Sequence, residues 1–168
     1  MVQRIYFSRL RADAVIPSKR PEDAGYDIYA CLEADFIRLE PLETRPIPTG
    51  IASACSPDYY FQLFERGSTG TRGIAQRCGV IDSGYRGEWF IPLTNLNRLP
   101  LYFARESMRG TLEPRAERGE LLVYYTSKAI AQAVLLPVPK TEVVELPYDE
   151  LTHIASVRGS GRLGSSGK

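Results

Sequence analysis

Histidine and cysteine are scarce in this sequence, which has one histidine and three cysteines among its 168 residues. The single histidine, His153, cannot supply a histidine-rich metal site. Cys31, Cys55 and Cys78 are odd in number and widely spaced, so they match neither a zinc-binding pattern nor a disulfide framework. We therefore expect reduced thiols and a cytoplasmic, reducing compartment.

Net charge and long apolar runs are also lacking. The formal net charge is +1, so no broad basic field indicates a nucleic-acid partner. No apolar run reaches the length of a membrane span, and no signal-peptide core follows Met1. These absences predict a protein that binds neither nucleic acid nor membranes.

Proline and glycine are abundant, with 12 and 14 copies, which leaves little room for long helices. The 43% of hydrophobic residues is enough for one buried core. Between the turn residues recur short β-favouring runs: RIYFSRL, DFIRLE, YYFQLF, EWFIPL, LLVYYT and AVLLPV. This pattern predicts an all-β domain, a sandwich or barrel, with DELTHIA as one short helix.

Two stretches depart from the β pattern. Residues 104–120 are dense in charge and lack apolar periodicity, which predicts an exposed loop insertion and a possible contact for a protein partner. Residues 158–168 are rich in Gly and Ser and cannot bury enough apolar surface to order themselves. We predict a β domain over 1–157 and a flexible arm over 158–168. From composition alone, a disordered tail or a cloning remnant is the simpler interpretation of the arm.

Polar side chains suited to a nucleotide lie in short, glycine-bearing stretches. AGYDIYA places Asp27 in an otherwise apolar β segment, and RGSTGTRGI sets Arg66 against small residues whose amides and hydroxyls suit an anion. IAQ ends in the amide of Gln132, and RGSGRLGSSG combines Arg158 with a flexible backbone able to wrap phosphates. These residue types together indicate a site for a phosphorylated ligand.

The stretch GVIDSGYRGEW reads as a β-hairpin that turns at Ser83-Gly84. A hairpin needs the glycine, but it does not need a carboxylate and a phenol on either side of the turn. Asp82 and Tyr85 occupy those two places. Taken alone, each has an ordinary structural explanation, as a turn-capping Asp and a cross-strand packing Tyr.

In this order, the five stretches resemble the five motifs of the trimeric dUTPases, and IPTGI (47–51) falls where that family has another familiar stretch. The resemblance covers most of the chain apart from 104–120. It implies an all-β, jelly-roll-like β-clip subunit and a homotrimer. Each active site would combine the hairpin of one subunit, the phosphate motifs of a second and the C-terminal arm of a third.

The resemblance also implies the reaction and its purpose. Water attacks the α-phosphorus of dUTP, giving dUMP and pyrophosphate, with Mg²⁺ on the phosphates. This would limit uracil incorporation into DNA and supply dUMP for dTMP synthesis.

The family's residue roles carry over position by position. Asp82 is implied as the general base for water, Tyr85 as the residue that packs under the deoxyribose, and Asp27 as the contact to the metal through water. The implied substrate-binding residues are Arg66, Gly67, Ser68, Gln76, Gly79, Val80, Ile81, Tyr85, Gln132, Arg158, Leu163, Gly164, Ser165 and Ser166.

Four positions depart from the family pattern. Gly67 stands where the second motif usually has its first serine, and the hydroxyl is shifted to Ser68. Ala129 replaces an arginine before Ile-Ala-Gln. In the arm, Arg162 replaces a glycine, and Leu163 replaces the phenylalanine that stacks over uracil. Loss of an aromatic ring over a base typically costs about 1–3 kcal/mol.

Two alternatives remain open on the sequence. The dCTP deaminases share the architecture but carry a catalytic Glu on the strand after the hairpin, where this chain has Pro92, and a Trp in place of Tyr85. A nucleotide-gated regulatory binding protein is the second alternative, since the departures and the charged insertion fit such a role.

Overall fold

The computed structural model describes residues 2–77 and 79–161. The contacts between residues divide the chain into two compact units, Met1–Val138 and Pro139–Lys168. The division into a β domain over 1–157 and an arm over 158–168 stays a prediction. The helices are α1 (Gly67–Gly70), α2 (Arg109–Glu117) and, in the second unit, α3 (Tyr148–Thr152), with a 3-10 turn at Glu106–Met108. The strands are β1 (Tyr6–Arg9), β2 (Tyr26–Tyr29), β3 (Phe36–Leu39), β4 (Thr44–Pro48), β5 (Ile51–Ala54), β6 (Tyr59–Phe64), β7 (Ile74–Gln76), β8 (Val80–Ile81), β9 (Phe90–Asn95), β10 (Leu101–Ala104), β11 (Leu122–Tyr125) and β12 (Ala129–Pro137).

The predicted all-β architecture is confirmed. Each β-favouring run quoted above forms or contributes to a strand, and DELTHIA contributes to α3. The cause is visible in β6, where Phe61 and Leu63 are buried while Gln62 and Phe64 lie on the more open face. Alternation of this kind fixes which face of a strand packs on the core. Within the described residues, no helix is long and apolar enough to cross a bilayer.

One four-stranded sheet carries four of the candidate site residues, Asp27, Val80, Ile81 and Gln132. Its strand order is β2-β12-β6-β8, so β12 pairs with β2 on one side and with β6 on the other. In this register, Gln132 lies opposite both Asp27 and Phe64. The remaining strands form the sheets β4-β9-β7, β11-β10-β3 and β1-β5.

An aromatic cluster forms the centre of the main core. The Trp89 ring is fully buried, with centroids 5.2 Å from Phe61 and 5.7 Å from Phe7. Both contacts have the edge-to-face geometry that aromatic rings favour. Because Trp89 ends the stretch GVIDSGYRGEW, this core fixes the C-terminal end of the candidate hairpin.

Residues 104–120 form a folded element, which corrects the prediction of a loop. After β10, the 3-10 turn leads into α2, and Leu112 of the helix is buried with Leu121 and Tyr125 in a second, smaller core. The charged side chains that made this segment look like a loop form ion pairs with one another. Arg109 pairs with Glu106 and Glu113, and Arg115 and Arg118 pair with Glu120. Because only one apolar residue of the helix, Leu112, is buried, the sequence shows no helical periodicity of apolar residues.

Leu112→Ala tests whether α2 is an integral part of the fold. The side chain is 2% exposed, so its truncation is expected to lower the free energy of unfolding by about 2–5 kcal/mol. Urea denaturation measures the change. The control is Thr111→Ala at an exposed position of the same helix, expected within about 0.5 kcal/mol of wild type. Equal stabilities for the two variants would mean that the helix does not contribute to the cooperative fold.

Candidate active site

A polar cavity of about 580 Å³ lies at the β2 edge of the four-stranded sheet. Three predicted site residues, Asp27, Arg66 and Gln132, meet here from three separate segments of the chain. Strand pairing brings them together, since β12 places Gln132 between Asp27 and the end of β6, just before Arg66. The lining residues are Ser18, Lys19, Arg20, Asp23, Ala24, Gly25, Asp27, Arg66 and Gln132.

Arg66 and Asp27 form an ion pair in this cavity. The Nε of Arg66 lies 3.2 Å from Asp27 Oδ1, and its Nη2 lies 3.4 Å from Oδ2. The guanidinium also donates to the carbonyl of Ala129 at 3.3 Å. Because the two side chains remain 30% and 35% exposed, both groups are oriented yet accessible to a ligand.

Gln132 is held in a fixed place by the backbone around it. Its Nε2 donates to the carbonyl of Glu65 at 2.8 Å. A Cβ on Gly25 would lie 2.8 Å from Gln132 Oε1, closer than any side chain can approach. A larger residue in place of this glycine would have to displace the flexible Gln132 side chain, so Gly25 favours the close packing of the segment before β2 against this amide.

Lys19, Arg20 and Asp23 also line the cavity, although they lie outside the five motifs. Arg20 pairs with Asp23 at 2.9 Å, and this hydrogen-bonded contact holds the pKa of the Asp23 carboxyl below its usual value. Lys19 donates to the carbonyl of Asp23 at 2.6 Å. Three cations against two carboxylates, Asp23 and Asp27, leave the cavity with a formal charge of +1. That sign suits an anionic ligand.

Gly67 and Ser68 begin the single helical turn of α1 and are exposed. The turn is held by Thr69, whose hydroxyl donates to the carbonyl of Arg66 at 2.9 Å. Neither Gly67 nor Ser68 lines the polar cavity, but both directly follow Arg66, which does. Their predicted contacts with substrate remain predictions.

A second cavity, of about 260 Å³, lies beside the predicted hairpin. The turn is present, since Tyr85 N donates to the carbonyl of Asp82 at 3.0 Å. The Tyr85 ring is 43% exposed and therefore accessible. The lining residues are Val80, Ile81, Asp82, Tyr85, Glu88, Phe90 and Pro92.

The two arms of this turn pair with other strands, which corrects the interpretation as a simple β-hairpin. Among the described residues, β8 pairs with β6 in one sheet, and β9 pairs with β4 and β7 in another. In β4, with five residues, β9 finds a longer partner than the two-residue β8 offers. Residues 82–89 form a loop that bridges two sheets.

The loop is anchored by the Tyr85 side chain and by Arg86 and Glu88, two residues that the sequence did not single out as site residues. Arg86 Nη1 donates to the carbonyls of Ser83 at 2.6 Å and Ser53 at 3.3 Å. The phenol of Tyr85 donates to the carbonyl of Glu88 at 2.9 Å. A signal was available in the sequence, because Arg86 and Glu88 follow Tyr85 within three residues.

The other residues predicted to read the base lie at or near the start of this loop. Gly79 accepts from Leu63 N at 2.7 Å through its carbonyl. Val80 is 58% exposed, whereas Ile81 is 9% exposed. Gln76 ends β7, where its N–H donates to Glu65 Oε1 at 2.8 Å, and it does not line the second cavity.

The two cavities share no lining residue. Ile81, just before Asp82, pairs with Phe61 on β6, and Arg66 lies five residues beyond Phe61 along the chain. At about 3.3 Å per residue, those positions are on the order of 16 Å apart. One chain therefore does not bring Asp82 next to Arg66.

The predicted arm residues are described only in part. Arg158 is exposed in the second compact unit, where its carbonyl accepts from Gly161 N at 3.3 Å. Leu163, Gly164, Ser165 and Ser166 lie outside the described residues.

A family model described as dUTPase matches residues 12–106, a range that includes Asp27, Arg66 and Asp82. The chain belongs to the dUTPase family. The deoxyuridine 5'-triphosphate nucleotidohydrolase of Wolbachia pipientis is 33% identical over 150 residues, covering 88% of this chain and 82% of that protein. The enzyme of the same name from Leptospira interrogans is 38% identical over 97 residues, covering 55% of this chain and 66% of that protein. The match thus spans slightly under two thirds of the Leptospira protein.

A solved dUTPase structure supports the same fold for this dUTPase-family chain. The dUTPase of Staphylococcus bacteriophage 80alpha, in complex with dUPNHPP, has a TM-score of 0.73 and 23% sequence identity. The alignment covers 98% of this chain and 99% of that one. The predicted jelly-roll-like dUTPase fold is confirmed.

Proposed function

We propose that this chain hydrolyses dUTP to dUMP and pyrophosphate. The observation that carries the proposal is the meeting of Asp27, Arg66 and Gln132 in one cationic cavity of a dUTPase-family chain. Asp82 and Tyr85 flank the turn of a second cavity. One cavity has the charge for phosphates, and the other has a carboxylate beside an exposed ring for the sugar.

In the proposed reaction, Asp82 accepts a proton from water as the water oxygen attacks the α-phosphorus. The bond from that phosphorus to the bridging oxygen breaks, and pyrophosphate leaves with the electron pair. Arg66 and Gln132 hold the phosphates in line for the attack. Tyr85 packs against the deoxyribose.

The main-chain groups of Gly79, Val80 and Ile81, which come just before the 82–89 loop, are proposed to read the uracil edge, with Gln76 close by in sequence. Uracil presents one N–H donor between two carbonyl acceptors, whereas cytosine reverses part of this pattern. A buried site built for the first pattern leaves polar groups unpaired with the second, which costs binding energy.

The arm is proposed to close over the bound nucleotide. Arg158, Ser165 and Ser166 would contact the distal phosphates through charge-assisted hydrogen bonds, while Leu163 and Gly164 cover the base. Closure of this kind excludes water other than the attacking one.

The residues present fit a Mg²⁺ ion that arrives with the substrate. Among the described residues, no group of three or more His, Cys, Asp or Glu could hold a metal by itself. Mg²⁺ is commonly held by one or two carboxylates together with substrate phosphates and waters. Asp27 in the polar cavity would supply that carboxylate through water. When bound, the ion neutralises negative charge that develops on the phosphates.

A homotrimer with shared sites is proposed because the polar cavity and the second cavity lie apart on a single chain. On one chain, the backbone positions of Ile81, next to Asp82, and of Arg66 lie on the order of 16 Å apart. This separation supports a site in which the two residues belong to different subunits. A neighbouring subunit that turns its 82–89 loop toward the first subunit's polar cavity would complete the site.

Deamination of dCTP is not favoured. Pro92, which has no acid–base group, lines the second cavity at the position where deaminases carry Glu. The nearby Glu88 carboxylate is engaged, since its Oε1 accepts from Gly50 N and from Arg11, each at 2.7 Å. The regulatory-binder alternative stays untested.

Pyrophosphate release in Mg²⁺ tests the proposed function. We expect turnover of dUTP, with dCTP slower by at least about 100-fold because main-chain polar readout penalises unpaired groups. UTP has the same base, so it should be slower because its 2′-hydroxyl collides with the Tyr85 ring that packs against the sugar. EDTA should stop the reaction. Ammonia release from dCTP at a comparable rate would favour the deaminase, and binding of dUTP without turnover would favour the regulatory protein.

A further inference from the structure

Glu88 joins the 82–89 loop to the body of the β domain through one carboxylate oxygen. Its Oε1 accepts from the backbone N–H of Gly50 and from Nη2 of Arg11, both at 2.7 Å. The Glu88 and Arg11 side chains are 19% and 22% exposed, so the pair is largely removed from solvent. The same Arg11 nitrogen also donates to the carbonyl of Cys31 at 2.7 Å.

The donor at Gly50 is rigidly placed. Gly50 has φ +67°, and a Cβ there would lie 2.8 Å from Ala14 Cβ and 3.0 Å from Cys31 Sγ. Only glycine fits this backbone conformation and packing without strain. The amide that receives the Glu88 carboxylate is therefore fixed by β-domain packing rather than by the loop.

On its main-chain side, Glu88 holds Tyr85. The Glu88 carbonyl accepts the Tyr85 phenol at 2.9 Å. The next residue, Trp89, donates from its N–H to Ile51 O at 2.9 Å, and its carbonyl accepts from the Thr49 hydroxyl at 2.6 Å. The Glu88 carbonyl that accepts the Tyr85 phenol therefore lies between two anchored groups. One is the Glu88 side chain, which binds the Gly50 amide, and the other is the Trp89 main chain, which binds β5.

We propose that Glu88, anchored by Arg11 and the Gly50 amide, is a positioning residue that fixes Tyr85 and so sets the preference for deoxyribose over ribose. The inference rests on the proposed function, in which the Tyr85 ring packs against the sugar. Discrimination against one additional hydroxyl depends on where that ring lies. Without the carboxylate anchor, the carbonyl that holds the phenol shifts, and the ring is no longer held where a 2′-hydroxyl would collide with it.

The test compares kcat/KM for dUTP and UTP in matched variants. Glu88→Ala is expected to lower the dUTP:UTP ratio about tenfold or more, since displacements near 1 Å can cost up to about 100-fold in rate. Glu88→Gln keeps an acceptor oxygen for Gly50 and Arg11, so it should restore most of the ratio. The control is Glu33→Gln, which removes the other carboxylate on Arg11, an 84% exposed one, and should keep the ratio within about twofold.

A double-mutant comparison separates positioning from general stabilisation. Tyr85→Phe removes the phenol hydroxyl that donates to the Glu88 carbonyl. Adding Glu88→Ala to it should therefore lower the dUTP:UTP ratio by less than about twofold further, because both changes disrupt the same link between Tyr85 and Glu88. If Glu88→Ala does not fold, Glu88→Asp, which shortens the side chain by one methylene, takes its place with the same expectation.

Two results would overturn the inference while leaving the proposed function intact. One is an unchanged dUTP:UTP ratio in a folded Glu88→Ala or Glu88→Asp protein, and the other is fully additive losses with Tyr85→Phe. A wild-type chain that does not hydrolyse dUTP would instead refute the proposed function itself.

Discussion

Asp82→Asn is expected to lose about 10²–10⁴-fold in kcat for dUTP while retaining nucleotide affinity, the range that a general base contributes. The structure gives a reason why the variant should fold. The turn is made by the main-chain carbonyl of Asp82 and the N–H of Tyr85, 3.0 Å apart. The side chain is exposed, and asparagine keeps its size. The loss should therefore come from proton transfer rather than from a displaced loop.

Single-turnover hydrolysis measures the rate, and calorimetry with a non-hydrolysable dUTP analogue measures affinity. Asp35→Asn serves as a matched control, since Asp35 is an exposed aspartate that lines neither cavity. This control should hydrolyse dUTP at the wild-type rate. Near-normal turnover in Asp82→Asn would mean that another group activates the water. Loss of analogue binding would mean that Asp82 is needed to form the site.

Local sequence patterns were sufficient for the strands and for the polar cavity. Strand alternation is a property of neighbouring residues, as Phe61 and Leu63 show, so it can be read without knowing the partner strand. The meeting of Asp27, Arg66 and Gln132 was implied by the resemblance of the motifs to those of the dUTPases, and sheet pairing supplies its physical basis. The residue types and their order along the chain were therefore enough to predict both the strands and the residues of the polar cavity.

Contacts between distant segments could not be read in this way. Glu88 and Arg11 are 77 positions apart, and nothing in either segment indicates the other. The partners of β8 and β9 depend on which strands lie beside them in the folded chain, so GVIDSGYRGEW alone suggested a self-paired hairpin. Lys19 and Arg20 reach the polar cavity because the segment before β2 folds back beside it, with Ser18 bridged to Asp27.

Loss of activity in two single variants and its recovery on mixing them is the second large effect that we expect. Asp82→Asn disables the proposed base, and Arg66→Gln disables the proposed phosphate contact, at a partly exposed position. Each variant alone should be nearly inactive. If every site combines the loop of one subunit with the polar cavity of another, mixed trimers contain some sites with both groups intact.

The recovery has a definite size. In trimers assembled randomly from equal amounts of the two variants, about half of the subunits keep Asp82 and the other half keep Arg66. About a quarter of the sites then pair an intact loop with an intact neighbouring cavity. Pyrophosphate release should therefore rise to about a quarter of the wild-type rate after co-refolding. The same variants mixed after separate refolding, without subunit exchange, should stay inactive.

Differently tagged variants allow mixed assembly to be verified by sequential affinity capture before the assay. Captured mixed assemblies that stay inactive would show that Asp82 and Arg66 must belong to one chain, contrary to the separation of the two cavities. A monomer by light scattering that hydrolyses dUTP at nanomolar concentration would exclude a shared site altogether. Recovery near a quarter in the unfractionated mixture, or near about a third in the captured mixed trimers, requires that the catalytic carboxylate and the phosphate-binding arginine act across a subunit boundary, because no single chain in the mixture carries both.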